Sequence, residues 1–225
     1  MSVKMTNGPH CNSDWPTNVS EARDLQLRLR DQVIRENQLG PVQRVAGVDV
    51  GFEDGGKITR AAIAVLDFPA LTLHEQVVIR TPTCFPYVPG YLSFRELPGV
   101  MQAFAQLRAK PDLVLCDGQG IAHPRRFGIA CHLGVITGLP TIGVAKSRLI
   151  GQYQMPGPHK GDWAPLLDKG ECIGAVLRSR DNISPLFISI GHRIDLETAI
   201  DYVLRCTSRF RLPETTRQAH KLASG

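Results

Sequence analysis

Residues 44–80, RVAGVDVGFEDGGKITRAAIAVLDFPALTLHEQVVIR, hold three apolar runs separated by two short breaks. The runs are RVAGVDVGF, TRAAIAVLDF and LTLHEQVVIR. Glu53 to Lys57, with Gly55-Gly56, makes the first break and Pro69-Ala70 the second, which predicts consecutive antiparallel hairpins. Downstream the pattern changes. DLVLCDG (112–118) and PTIGVA (140–145) are continuous apolar runs, as expected of strands buried on both faces of a sheet.

Helical stretches lie around them. Leu97 to Ala109 is one, closed by Lys110-Pro111, and Phe127 to Ile136 is another, with Ile129, Leu133 and Ile136 inward. ECIGAVLRS and LFISIG read as further strands beside a Gly/Pro-rich excursion at residues 154–165. Asp195 caps a last helix with Leu196, Ala199, Ile200, Val203 and Leu204 on one face. Near the start, Ser20 reads as the N-cap of a helix striped by Ala22, Leu25, Leu29 and Val33 and stopped by Gly40-Pro41. Residues 1–18 read as a flexible tail and 222–225 as a C-terminal one, leaving a single domain over 19–221. Antiparallel strands followed by alternating helices and parallel strands predict a mixed α/β sheet.

The 225 residues suit one domain, and 26 Lys plus Arg against 21 Asp plus Glu give a net charge of +5. That is a weak push toward a polyanionic partner. The six cysteines have no paired spacing; Cys116 and Cys131 sit in apolar runs as small core residues, and zinc is disfavoured. No run approaches eighteen apolar residues and no signal peptide pattern is present, so a soluble protein of a reducing, cytoplasmic setting is expected, with no membrane partner.

Two acids stand where acids are costly. Asp49 lies inside the apolar VAGVDVGF run and Asp117 ends another. If those strands are neighbours, both carboxylates point to one spot and repel unless a cation sits between them. Mg²⁺ suits such a site, taking carboxylates, water and substrate phosphate as ligands. Each Asp could instead simply cap a strand end; for Asp117, followed by Gly118, that reading stays open.

CFPYVPGYLSFRE (84–96) packs Phe85, Tyr87 and Tyr91 around prolines at 86 and 89, which disfavour both strand and helix and predict a stiff loop. Glu96 at its end is a candidate third acid. DGQGIAHPRRFG (117–128) sets Gly118 and Gly120 against His123, Arg125 and Arg126 on entry to a helix, a pattern that would attract phosphate. His132 reads as a packed structural histidine. GVAKSRLIG (143–151) places Lys146 directly after a buried strand, where it would hold a phosphate or stabilise a leaving oxygen.

Taken in order, VAGVDV, PYVPGYLSFRE, DGQGIAHPRRFG, GVAKSRLIG and LPETTRQAH resemble endonuclease V, the family of deoxyinosine-specific repair nucleases, over about residues 19 to 220. The resemblance implies a ribonuclease H-like fold and Mg²⁺-dependent cleavage, with Mn²⁺ able to substitute. It implies hydrolysis of the second phosphodiester bond 3′ to an inosine without removal of the base. Asp49, Glu96 and Asp117 would form the metal site, with Lys146 and His220 completing the catalytic set. Tyr87, within Pro86-Tyr87-Val88-Pro89, would be a wedge entering the duplex. Gly90, Leu92, Gly118, Gly120, His123, Arg125, Ser147 and Leu149 would supply the base pocket and phosphate contacts. Ser147 departs from the second lysine frequent at this place in the family. The implied partner is inosine-containing DNA, with inosine in single-stranded RNA as a further substrate, and the protein would act as a monomer. A non-catalytic nucleic-acid module and a nuclease for branched or RNA–DNA structures are competing readings. The three acids argue against the first and the wedge loop against the second.

Overall fold

Arg44–Glu53 (β1), Ile58–Asp67 (β2) and Thr72–Pro82 (β3) form the expected antiparallel meander in a computed structural model that describes residues 15–225. A short 3-10 turn at Asp54–Gly56 joins the first two, with Gly55 and Gly56 at φ of 62° and 91°, where a side chain would be strained. Leu113–Asp117 (β4) then pairs parallel to β1, and Thr141–Ala145 (β5) parallel to β4. Trp163–Asp168 (β6), Glu171–Leu177 (β7) and Leu186–His192 (β8) complete an eight-stranded sheet ordered β3-β2-β1-β4-β5-β8-β7-β6. The mixed α/β reading holds, but parallel pairing stops at β5. From β8 outward every pair is antiparallel.

Strand alternation divides the core. Val45, Leu113 and Leu115 point into one apolar cluster, and Ala46, Val48, Val114 and Cys116 into the other. The helices are Val19–Arg30 (α1), Leu92–Gln106 (α2), Ile129–Thr137 (α3), Leu196–Arg205 (α4) and Glu214–Ser224 (α5). On α2, Leu97, Val100 and Ala103 pack with Ala46 and Val48; on α4, Ala199, Ile200 and Val203 pack with Val45. Asp195 caps α4 as expected, accepting from the Thr198 N–H at 2.8 Å. Cys116, Cys131 and His132 are fully buried, as read.

Several expectations need correction. α1 is capped by Asn18, whose side chain accepts from the Glu21 N–H, while Glu21 reaches back to the Thr17 N–H at 2.8 Å; Ser20 is already inside the helix. α1 ends at Arg30 rather than Gly40-Pro41, because the chain beyond it bonds elsewhere: the Ile34 N–H donates to His192 Nδ1 and the Ile34 carbonyl accepts from Arg193. Ile136 is 38% exposed, since α3 starts at Ile129 and its outer face carries that residue. The excursion at 154–165 leads into β6, whose Pro165 is tolerated because β6 is an edge strand.

The segment 84–96 is a loop only as far as Tyr91. Residues Leu92 to Glu96 are helical, and Pro98 sits inside α2. A proline there removes the N–H that would serve the Phe94 carbonyl four residues back. Trp15 fills the gap: its indole N–H donates to that carbonyl at 2.8 Å. The same indole stacks on His132 at 5.5 Å, so the described end of the supposed N-terminal tail is docked.

α5 was not expected as an element, and it runs through the residues assigned to a C-terminal tail. It lies against β1 at Gly47 and Gly51, where an added Cβ would meet the Thr215 carbonyl oxygen at 2.0 Å and the Ala223 carbonyl oxygen at 2.2 Å. Among the described residues, no helix is long and apolar enough to cross a membrane.

Candidate active site

The parallel register brings the two strand acids together. β1 pairs with β4 up to Val48 and Cys116, so Asp49 and Asp117 are the next residues on adjacent strands, facing the same side. Asp49, Asp117 and His220 of α5 each place one oxygen or nitrogen within 4.8 Å of the others. His220 Nδ1 lies 2.6 Å from Asp49 Oδ2, and the Val50 N–H donates to Asp49 Oδ1 at 2.8 Å. Lys146, at the carboxyl end of β5, donates to Asp117 Oδ2 at 2.5 Å.

Glu96 arrives on α2 from the other side of the sheet. Burial, then the charges of Asp49 and Asp117, push its carboxyl up to about 8. Burial and Asp117 also raise Asp49, against the hydrogen bonds from His220 and Val50. Three carboxylates on three elements, with Glu96 and Asp49 both pushed up by burial and by their acidic neighbours, fit a hard divalent cation: its charge would relieve the repulsion and its preference is for oxygen.

A cavity of about 370 Å³ runs from these acids to the proline loop. Glu96, Asp117 and Lys146 border it at one part; Tyr87, Gly90, Leu92, Gly118, His123, Ser147 and Leu149 border the rest. Phe85 and Tyr91 are buried with Phe94 and Ala22, anchoring both ends of the loop, whereas Pro86 and Pro89 are exposed, Val88 is half-buried and Tyr87 is 68% exposed. The loop's last turn is held through one atom. The Gly90 carbonyl accepts from Gln26 Nε2 at 3.0 Å, His123 Nε2 at 3.0 Å and Arg125 at 2.5 Å. Gly90 itself takes φ of +80°, and a Cβ there would meet the Arg125 guanidinium at 2.9 Å.

These bonds decide several roles. His123 Nδ1 accepts from the Arg125 N–H, so Nε2 carries the proton toward Gly90, and burial lowers its pKa to about 4. It is a neutral brace. Arg125 also binds Gln26 Oε1 at 2.5 Å and lies over the Tyr91 ring, and Arg126 pairs with Asp168 and Glu171, both at 2.7 Å. Both guanidinium groups are thus already engaged within the protein, Arg125 by Gln26 and Gly90 and Arg126 by Asp168 and Glu171. Gly120 is off the cavity: its N–H donates to Ser189 Oγ at 2.8 Å, and its Cα packs on the Ile190 carbonyl. Helix α3 begins only at Ile129, beyond this turn.

Gln26, Gln119 and Arg211 were missed. Gln26 had a signal, a polar residue four positions after Ala22 on an apolar stripe; it is 1% exposed. Gln119 donates to the Ser147 carbonyl at 3.1 Å, and Arg211 to the Lys146 carbonyl at 2.8 Å, bonds between segments that no local pattern announces.

The titrating groups give an expected pH profile. His132, with its pKa lowered to about 3 by burial, and His123 at about 4 are neutral in the fold but charge near 6.5 when unfolded. The unfolded chain binds more protons below that value, so stability falls with acid. Glu96, raised to about 8, acts in the opposite sense, and stability falls as pH rises from the ordinary 4.5 toward 8. His192 is lowered to about 4 as well, chiefly by burial. Three histidines outweigh one glutamate, so stability from urea denaturation in chelator should peak near pH ~6.5 and drop on the acid side by about 2.7 kcal/mol per unit. A midpoint rising steadily from pH ~5 to ~8 would contradict these environments.

The sequence pattern of the endonuclease V family matches residues 27–221. An endonuclease V from Nostoc sp. is 60% identical over 211 residues, covering 93% of this chain and 96% of its own. The crystal structure of endonuclease V from Streptomyces avermitilis superposes with a TM-score of 0.90 at 45% identity, over 94% of each chain. That of the Ciona intestinalis enzyme, in complex with a 23mer DNA containing an inosine followed by a ribo-adenosine, gives 0.81 at 28% identity, over 92% of this chain and 95% of that one. With the ribonuclease H-like sheet, the acids at its strand ends and a family match across most of its length, the chain belongs to the endonuclease V family.

Proposed function

We propose that this endonuclease recognises deoxyinosine in DNA and hydrolyses the second phosphodiester bond on its 3′ side, leaving 3′-hydroxyl and 5′-phosphate ends. The observation that carries the reading is one continuous cavity, with Glu96, Asp117 and Lys146 at one part, Asp49 next to Asp117, and a stiff, Tyr87-tipped loop at another. Asp49, Glu96 and Asp117 would hold Mg²⁺, for which Mn²⁺ would substitute. Such an ion, when bound, neutralises charge on the phosphate and lowers the pKa of water.

The remaining work falls to this chain's residues. Lys146 is an ammonium at hydrogen-bond distance from Asp117, and it would shift to the departing 3′ oxygen as negative charge grows there. His220 would fix the Asp49 carboxylate through Nδ1, which lies at hydrogen-bond distance from it. Extruding a base costs a few kcal/mol, least for a mispaired one, which favours inosine. Tyr87 would fill the gap, on a loop already ordered by its prolines and by the three donors on Gly90.

Matched labelled DNA and RNA strands, with and without one inosine, test this across a Mg²⁺ titration, with the cut mapped to the nucleotide. Cleavage at the second bond 3′ to inosine, absent from the inosine-free strand, is expected. Equal cutting of both strands would exclude the reading, and the RNA arm decides whether inosine in single-stranded RNA is also a substrate. Tyr87→Ala should weaken binding to inosine-containing duplex about tenfold or more while leaving the melting temperature unchanged, because Tyr87 is exposed. Unchanged affinity would remove the wedge role.

A further inference from the structure

The loop between α4 and α5 presents Arg209 and Phe210 to solvent. Phe210 is 38% exposed, with the Arg209 guanidinium 4.9 Å and the Arg217 guanidinium 4.5 Å from its ring centre. Arg217 is already paired with Glu214 at 2.5 Å. Arg209 has no ion pair among the described residues.

The loop itself is tied down. Arg180 donates to the Arg209 carbonyl, Lys160 to the Thr207 carbonyl at 3.3 Å, and Ser179 to the Arg211 carbonyl at 2.7 Å. The tether to the site is Arg211, which bridges the carbonyls of Lys146 and Pro185 at 2.8 and 2.7 Å. On α5, Arg217 precedes His220 by three residues, so both lie on one face a single turn apart. Arg209, the exposed ring and His220 thus lie on one tethered loop and the helix that follows it.

We infer that Arg209, packed over Phe210, is a clamp for the nucleic-acid strand beyond the scissile phosphate, on its 3′ side. This rests on the reading that the inosine occupies the cavity. With the base there and the cut 3′ to it, the strand leaving the carboxylates passes His220 and Arg217 and meets the Phe210 stack. A guanidinium packed on a ring loses little freedom on meeting a phosphate or the face of a base, and the pinned loop needs no ordering. Arg180 and Lys160, which hold the loop, add positive charge beneath it.

The test is binding, measured in chelator with the full chain and inosine-containing strands that extend two, four or eight nucleotides past the cut. Wild-type affinity should rise with the 3′ extension. Phe210→Ala with Arg209→Ala should erase that rise, about tenfold or more at the longest extension, and bind the shortest strand as wild type does. Arg209→Ala alone should reduce the salt dependence on the longest strand by about one unit of slope. An unaltered rise in the double variant, or an equal loss at every length, would overturn the assignment. A control strand bearing adenine in place of inosine separates the two readings. If wild type prefers inosine but the extension has no effect, the clamp fails alone; if it shows no preference, the cavity reading fails and the clamp with it.

Discussion

Asp117→Asn is expected to lower cleavage of an inosine-containing duplex about a thousandfold, the equivalent of ~4 kcal/mol of transition-state stabilisation. The substitution keeps the side chain's size and removes one of the charges that raise Asp49 and Glu96. The ion pair it loses joins Asp117 to a Lys146 that is 38% exposed, which contributes little to the fold. The melting temperature in chelator should therefore hold or rise, since the repulsion among the carboxylates is relieved. Activity within tenfold of wild type would remove Asp117 from the metal site. A sharp fall in melting temperature would mean that the carboxylate is structural and the loss of cleavage indirect.

The second large effect is expected at a residue that carries no charge and no side chain. Gly47→Val places a branched side chain where a single Cβ already meets the Thr215 carbonyl oxygen at 2.0 Å and the Thr216 nitrogen at 2.7 Å. Both are backbone atoms of α5, so no rotamer change can make room. The helix must move off β1, at a cost of about 3 kcal/mol or more. Because α5 carries His220, cleavage should fall along with stability. Gly40→Ala is the control: a Cβ there meets nothing within 4 Å, and a change under about 0.5 kcal/mol is expected. Urea denaturation of both variants, beside cleavage rates, checks the pair. Wild-type stability in Gly47→Val would mean that α5 does not sit on the strand as described.

The meander and the two parallel strands were legible because alternation, continuous apolar runs and Gly/Pro breaks all operate within a few residues. Asp49 was legible for the same reason, as a charge inside an apolar strand. What escaped was set by partners distant in sequence. α5 is polar along most of its length and packs through Thr215, Thr216, Ala219 and Ala223, small residues that leave little periodic signal but suit a close approach to Gly47. The start of α2 was hidden because Pro98 argues against a helix locally, and only Trp15 makes it tolerable. Arg125 and Arg126 looked like phosphate ligands because guanidinium groups beside glycines often are. Apart from the His123 carbonyl, the acceptors they hold in the fold, Gln26, Gly90, Asp168 and Glu171, lie 35 or more residues away along the chain. The sequence brought Asp49 and Asp117 into view as neighbours at strand ends, and the structure sets them side by side; the groups that hold them still were not visible.

The bond from Trp15 to the Phe94 carbonyl has a consequence for how this protein tolerates trimming. α2 delivers Glu96 to the other two acids, yet one of its own turns is completed by a side chain seventy-nine positions earlier. Proteolysis or a later start that removes Trp15 takes away no residue of the site. It would still leave a buried carbonyl two residues before Glu96 without a donor and His132 without its stacking partner. The damage would register at the carboxylates as a loosened helix, so the choice of first residue is itself a variable of catalysis.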